Sequence, residues 1–94
     1  MKYEVKNEEF ESKGAYFILV ADDRVSEMTY SKAGTDRIII DHTEVNEAYR
    51  AKGLGEMMVR RAVEDARKGK IAIVPLCPFA QAVFQRHPEL RDVL

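Results

Sequence analysis

The feature that most restricts the fold is a change of hydrophobic period at two glycines, Gly53 and Gly55. The residues before them alternate with the two-residue period of a strand. The residues after them repeat with the 3.6-residue period of an amphipathic helix that is predicted to end at Gly69. The apolar side of that helix is formed by Leu54, Met58, Val59, Ala62, Val63 and Ala66. A strand, a glycine turn and a helix are therefore predicted in direct succession.

The strand before the glycines is predicted over residues 37–45. Uninterrupted alternation predicts that its side chains divide between two faces. One face carries Ile38, Ile40, His42 and Glu44, and the other carries Ile39, Asp41, Thr43 and Val45.

The remaining elements complete a small mixed fold. Before residue 37, one or two short extended pieces are predicted around residues 3–11 and strands around residues 15–20 and 25–30, with turns between them. Residues 70–75 are apolar on both sides, as in a central strand, and the helix before them predicts parallel pairing with residues 37–45. Residues 78–86 are predicted to form a short helix that buries Phe79. The predicted fold class is α+β (mixed α/β): an antiparallel meander, a β-α-β crossover and a short C-terminal helix in one domain over residues 1–94.

The composition restricts the function classes. The net charge of −1 gives no general reason for binding nucleic acid or a membrane, and the basic residues do not alternate with aromatic ones. No apolar run reaches the roughly 20 residues that cross a bilayer, and no signal peptide is expected. The single cysteine fits a reducing cytoplasm. No His or Cys spacing predicts a metal site.

The glycine turn has the residue types of an anion site. A helix N-terminus leaves N–H groups unpaired and carries partial positive charge. No Ser, Thr, Asp or Asn stands at residues 50–55 to cap it, whereas Arg50 and Lys52 add positive charge. The spacing matches neither a Walker loop, which ends in Gly-Lys-Ser/Thr, nor the three-glycine dinucleotide fingerprint. An ordinary strand-to-helix turn is the alternative.

The same segment resembles a known family. Arg50-Ala51-Lys52-Gly53-Leu54-Gly55 is similar to the Arg/Gln-x-x-Gly-x-Gly/Ala signature of the GNAT acetyltransferases. His42-Thr43-Glu44-Val45 before it and Pro75-Leu76-Cys77-Pro78 after it occur in the order of a small, single-domain GNAT-like group with a Cys-Pro pair. The resemblance covers essentially the whole chain.

The resemblance implies how a cofactor is held. The pyrophosphate of coenzyme A would bind at residues 50–55, namely Arg50, Ala51, Lys52, Gly53, Leu54 and Gly55. The pantetheine arm would pair with the backbone of Thr43, Glu44 and Val45, where that strand separates from the next parallel strand. Tyr49 is a further candidate for this pocket. Larger members of the superfamily have helices between their first two strands, and this chain has no room for them, so a more open acceptor groove is expected.

Two residues are predicted to take part in catalysis. Cys77 precedes Pro78 at the expected start of the last helix, where a thiolate is stabilised. It could accept the acetyl group covalently, contact the cofactor through its thiol, or be a packed small residue. His42 is the candidate general base because histidine side chains ordinarily titrate near neutral pH. A structural role is the alternative for His42, and Glu44 could act through a water instead.

The function that these features predict is acetyl-CoA-dependent N-acetylation of an amine, on a small molecule or a protein. One alternative is a coenzyme A-binding module with little or no transferase activity. Another is an interaction domain with a coincidental glycine turn. The chain is expected to be a monomer or a weak homodimer.

Overall fold

The computed structural model describes residues 3–94 and confirms the mixed α+β fold. Three residues of 3₁₀ helix (Glu47–Tyr49) follow the fourth strand, and a second 3₁₀ helix (Pro88–Val93) closes the chain. In chain order the main elements are β1 (Val5–Phe10), β2 (Lys13–Val20), β3 (Asp23–Ala33), β4 (Arg37–Val45), α1 (Leu54–Gly69), β5 (Ala72–Pro75) and α2 (Pro78–Arg86).

The five strands form one sheet in sequence order, β1-β2-β3-β4-β5. The first four are antiparallel, and β5 pairs parallel to β4 as predicted. The prediction that the last strand is central was wrong, because β5 lies at the edge of the sheet. Its parallel ladder is only four residues long and ends at Pro75, which has no N–H to donate. Of its four residues only Ile73 is fully buried, so the apolar pattern reflects packing on one side rather than two flanking strands.

Both helices pack on the same face of the sheet. Tyr16, Met28 and Thr43 are cross-strand partners in β2, β3 and β4, so their side chains share a face. The Tyr16 hydroxyl donates to Asp65 of α1 over 2.8 Å, and Thr43 Oγ1 lies 3.2 Å from Sγ of Cys77, just before α2. The apolar side of α1 is buried as predicted, and the molecule measures 34 × 31 × 21 Å.

A bulge in β4 changes which of its residues face the helices. Thr29 of β3 pairs with His42, whereas the next residue, Tyr30, pairs with Ile40, so Asp41 is an extra residue in β4. The prediction that His42 and Glu44 share a face with Ile38 and Ile40 was therefore wrong. Alternation from one end of a strand fails beyond such an insertion. Thr43 and Val45 lie on the helix face instead, and His42 and Glu44 lie on the opposite face.

One smaller detail agrees with the predictions and another differs. As predicted, α1 ends at Gly69, and the next residue, Lys70, has a left-handed φ of 55°. Phe79 was expected to be buried but is 39% exposed, because it lies at the rim of the groove described below. Among residues 3–94, no helix has both the length and the apolar content needed to cross a membrane.

Candidate functional site

The second half of β4 has an open edge. The ladder between β4 and β5 ends where Ile40 pairs with Pro75, yet β4 continues to Val45. The chain then turns away from the sheet, because the N–H groups of both Leu76 and Cys77 donate to the carbonyl of Ile40. Residues 41–45 therefore pair with β3 on one side and have no β5 partner on the other. Such an edge offers backbone donors and acceptors to a ligand.

The N-terminus of α1 lies at the end of this edge. Its N-cap is Gly53, which has the left-handed φ of 78° and makes no side-chain capping hydrogen bond. Ala51, two residues earlier, also has a positive φ, 67°. The carbonyl of Gly53 accepts the first helical bond, from the N–H of Met57 at 3.1 Å. The N–H groups of the first turn are thus left for a ligand, as the absence of a capping side chain predicts.

Gly55 allows α2 to approach α1 closely. A Cβ on Gly55 would lie 2.6 Å from Cε1 of Phe79, so a larger residue would displace the Phe79 ring. Around Gly53, by contrast, a Cβ would meet no atom within 4 Å. Gly53 is therefore required by its backbone angle and Gly55 by the neighbouring helix.

The β4 edge, the N-terminus of α1 and one side of α2 enclose a groove of about 610 Å³. The structure brings nine of the predicted site residues to this groove: His42, Thr43, Glu44, Val45, Arg50, Ala51, Gly53, Leu54 and Gly55. Tyr49 lines it as well. Lys52 and Cys77 do not line it. Glu56, Phe79 and Arg86 also line the groove, and sequence reasoning missed them. The spacing of Phe79 and Arg86, seven residues apart on one side of a helix, is the signal that could have found them.

Cys77 lies behind the groove wall rather than in it. It is 5% exposed, and its Sγ accepts a hydrogen bond from the N–H of Ala80 at 3.4 Å, which caps α2. Its second contact, at 3.2 Å, is with the hydroxyl of Thr43, a residue that lines the groove. The side chain of Thr43 therefore lies between the Cys77 thiol and the open edge of β4.

His42 lines the same groove from β4, three residues before the end of that strand. Its side chain is 67% exposed, and Nε2 lies 3.9 Å from Oε2 of Glu44. The imidazole can therefore exchange protons with solvent while remaining beside the groove.

Glu56, in the first turn of α1, is held in place by two partners. Oε2 accepts from Nε of Arg60 at 3.0 Å, and Oε1 lies 3.1 Å from Nε2 of His87, the C-cap of α2. The hydrogen bond from Arg60, and then that from His87, lowers the pKa of the Glu56 carboxyl. His87 thereby joins the end of α2 to the first turn of α1. Among residues 3–94, no three His, Cys, Asp or Glu side chains are placed to hold a metal ion.

Comparison with known proteins identifies the family of the chain. The family model described as GCN5-related N-acetyl-transferase matches residues 15–93. A GCN5-like protein of Staphylococcus aureus, described as an N-acetyltransferase, is 28% identical with a TM-score of 0.72, covering 96% of this chain and 85% of that one. No curated protein matches the chain.

Two further solved structures share the fold at lower identity. An acetyltransferase from Bacillus subtilis in complex with CoA has a TM-score of 0.68 at 18% identity, covering 90% of this chain and 74% of that one. A GNAT family acetyltransferase from Elizabethkingia anophelis with acetyl-CoA bound has a TM-score of 0.65 at 14% identity. The match covers 81% of this chain and about half, 53%, of that one. Since the family model matches most of the chain, the chain belongs to the GCN5-related N-acetyltransferases.

Proposed function

We propose that this chain, as a single domain over residues 1–94, transfers an acetyl group from acetyl-CoA to an amine. The observation that carries the proposal is one groove that joins an uncapped helix N-terminus to an open strand edge. The first feature suits a phosphate, and the second suits the amide groups of a pantetheine arm. The residues present therefore fit coenzyme A.

Different residues of the groove would bind different parts of the donor. Backbone N–H groups around Gly53 and Gly55, with the nearby charge of Arg50, would hold the pyrophosphate. The backbone of residues 43–45 would bind the arm and point it toward His42. Lys52 does not line the groove and would contribute only through its charge.

Acetyl transfer near His42 requires a base that removes a proton from the attacking amine. Bound acetyl-CoA would supply a thioester carbonyl that an amine can attack, forming the N–C bond as the C–S bond breaks. His42 would take the proton of the attacking amine, and Oε2 of Glu44 lies 3.9 Å from its Nε2. Because Cys77 is buried and its Sγ already has two partners, we propose direct transfer, with Cys77 positioning Thr43.

The acceptor is an amine of a small molecule or a protein. The first two strands form a hairpin joined by two residues, so no helices stand between them to enclose the acceptor side. This open side supports a range of acceptor sizes. A single cysteine supports action in the reducing cytoplasm.

Adding acetyl-CoA to the isotope-labelled protein is expected to shift the amide signals of residues 43–45 and 50–55 in NMR spectra. Release of free thiol from acetyl-CoA with a panel of amines then measures transfer in the same sample. Unmoved signals in both segments would exclude coenzyme A binding. Shifted signals without thiol release for any amine would instead support a binding module.

Replacing His42 by Gln is expected to lower the rate of transfer and to remove an ionisation from its pH profile. Glutamine keeps the size and polarity of the side chain but cannot take a proton. An unchanged profile would exclude His42 as the base.

The same rate measurements test the role of Cys77. Cys77→Ser can still bond to Thr43, and we expect it to keep most activity, whereas Cys77→Ala loses that bond and is expected to be slower. Loss of activity in both variants, with an acetylated wild-type protein seen by mass spectrometry, would favour a covalent acetyl carrier instead.

A further inference from the structure

Arg86 stands out among the arginines of the chain. Every other arginine has an ion pair or a hydrogen bond to the backbone: Arg24, Arg37, Arg50, Arg60, Arg61, Arg67 and Arg91. Within residues 3–94, Arg86 makes neither, although it is exposed and lines the groove. A guanidinium has five donors and is always charged at neutral pH, so it readily binds an anion.

The position of Arg86 is fixed by its neighbours. It is the last residue of α2, and the next residue, His87, contacts Glu56 in the first turn of α1. Phe79, at the other end of α2, packs over Gly55. Phe79 and Arg86 are seven residues apart, which places them on one side of α2 about 10 Å apart along its axis. Arg86 therefore lies beside the anion-binding end of the groove.

The acidic residue of the groove at the start of α1, Glu56, already has partners. Both oxygens of Glu56 have partners, since Arg60 binds Oε2 and His87 contacts Oε1. Arg86 is therefore not needed to neutralise Glu56. Its charge, with that of Arg50, makes the rim of the uncapped helix N-terminus positive, which favours a ligand with more than one negative charge.

We propose that Arg86 binds a phosphate of coenzyme A and selects the phosphorylated donor over a plain pantetheine thioester. This inference rests on the proposed function. The phosphate could belong to the pyrophosphate or to the 3′-phosphate, which offer a guanidinium the same chemistry.

The test compares wild-type protein, Arg86→Ala and Arg86→Lys with three ligands: CoA, dephospho-CoA, which lacks the 3′-phosphate, and pantetheine, which lacks all phosphates. Binding is followed by NMR amide shifts, which also report weak affinity. Arg37→Ala, which removes an exposed arginine paired with Asp36 outside the groove, is the matched control.

We expect Arg86→Ala to weaken CoA binding about 3- to 10-fold, as for a partly solvated charged hydrogen bond. Arg86→Lys should recover part of the loss, and Arg37→Ala should have no effect. Pantetheine binding should not change. If Arg86→Ala also weakens the binding of dephospho-CoA, Arg86 binds the pyrophosphate. If Arg86→Ala binds dephospho-CoA as well as wild type does, Arg86 binds the 3′-phosphate.

Two results would contradict the inference about Arg86 and leave the proposed function standing. One is that Arg86→Ala binds CoA with the affinity of wild type. The other is that Arg86→Ala weakens the binding of CoA and of pantetheine equally. A wild-type protein that binds none of the three ligands would overturn the proposed function, and this inference with it.

Discussion

Gly53→Ala is expected to weaken binding of acetyl-CoA at least about 10-fold while the protein stays folded. A Cβ at residue 53 would meet no protein atom within 4 Å, so it would stand in the open space in front of the first turn of α1. This is the space that we assign to the pyrophosphate. The left-handed φ of 78° also makes alanine unfavourable by roughly 1–2 kcal/mol. Titration calorimetry and thermal unfolding measure the two effects separately.

Gly34→Ala provides the control for backbone strain. Gly34 has a similar φ of 67° in the turn between β3 and β4, and its Cβ would make only an ordinary contact with Asp36. Because Gly34 does not line the groove, this variant should lose similar stability and keep its affinity for acetyl-CoA. Equal affinities for Gly53→Ala and wild type would mean that the anion is held elsewhere.

Gly14→Ala is expected to destabilise the fold by roughly 1–3 kcal/mol, the usual range for overpacking a core. A Cβ on Gly14 would overlap the ring of Tyr30, with Cε1 only 2.6 Å away. The Tyr30 ring has little freedom to move, since it is 2% exposed and lies against Tyr16 with 5.4 Å between ring centroids. For a chain of this length, the melting temperature should fall by about 5–20 °C.

The hydroxyl of Tyr30 adds to this restraint. It donates to Oε2 of Glu9 over 2.7 Å and accepts from Nδ2 of Asn7 over 3.0 Å. Burial raises the pKa of the Tyr30 hydroxyl, and the Glu9 carboxylate raises it further, so the hydroxyl stays protonated and the bonds persist at neutral pH. A displaced ring would therefore break polar contacts as well as packing.

Gly69→Ala is the matched control for Gly14→Ala. Gly69 is the last residue of α1, and its Cβ would meet only Cγ2 of Ile71, at 4.0 Å. Alanine is the better helix former, so this variant should be as stable as wild type or slightly more stable. A melting temperature of Gly14→Ala equal to that of Gly69→Ala would show that Tyr30 can move aside without loss.

Much of the site could be predicted because its signals are local. The backbone amides at Gly53 need only an uncapped helix start and a glycine, and both are visible in six consecutive residues. Phe79 and Arg86 could not be placed in the groove in this way. They reach it because α2 crosses the N-terminus of α1, a contact between segments more than 20 residues apart.

The face of the sheet on which His42 lies shows that a local sequence pattern can also fail within one strand. Alternation is a local rule, and it holds up to Ile40. Whether Asp41 becomes a bulge depends on pairing with β3, where Thr29 and Tyr30 fix the register. The bulge turns Thr43 toward Cys77 and His42 to the opposite face.

The sequence by itself determined the element order, the parallel β4-β5 pair and the uncapped start of α1, because each depends on periodicity or on a glycine at one position. The tertiary structure alone decided that β5 is an edge strand, that β4 has an open edge beyond Ile40, and that Arg86 joins the groove. These features depend on which distant segments pack together, and a pattern of neighbouring residues does not record that.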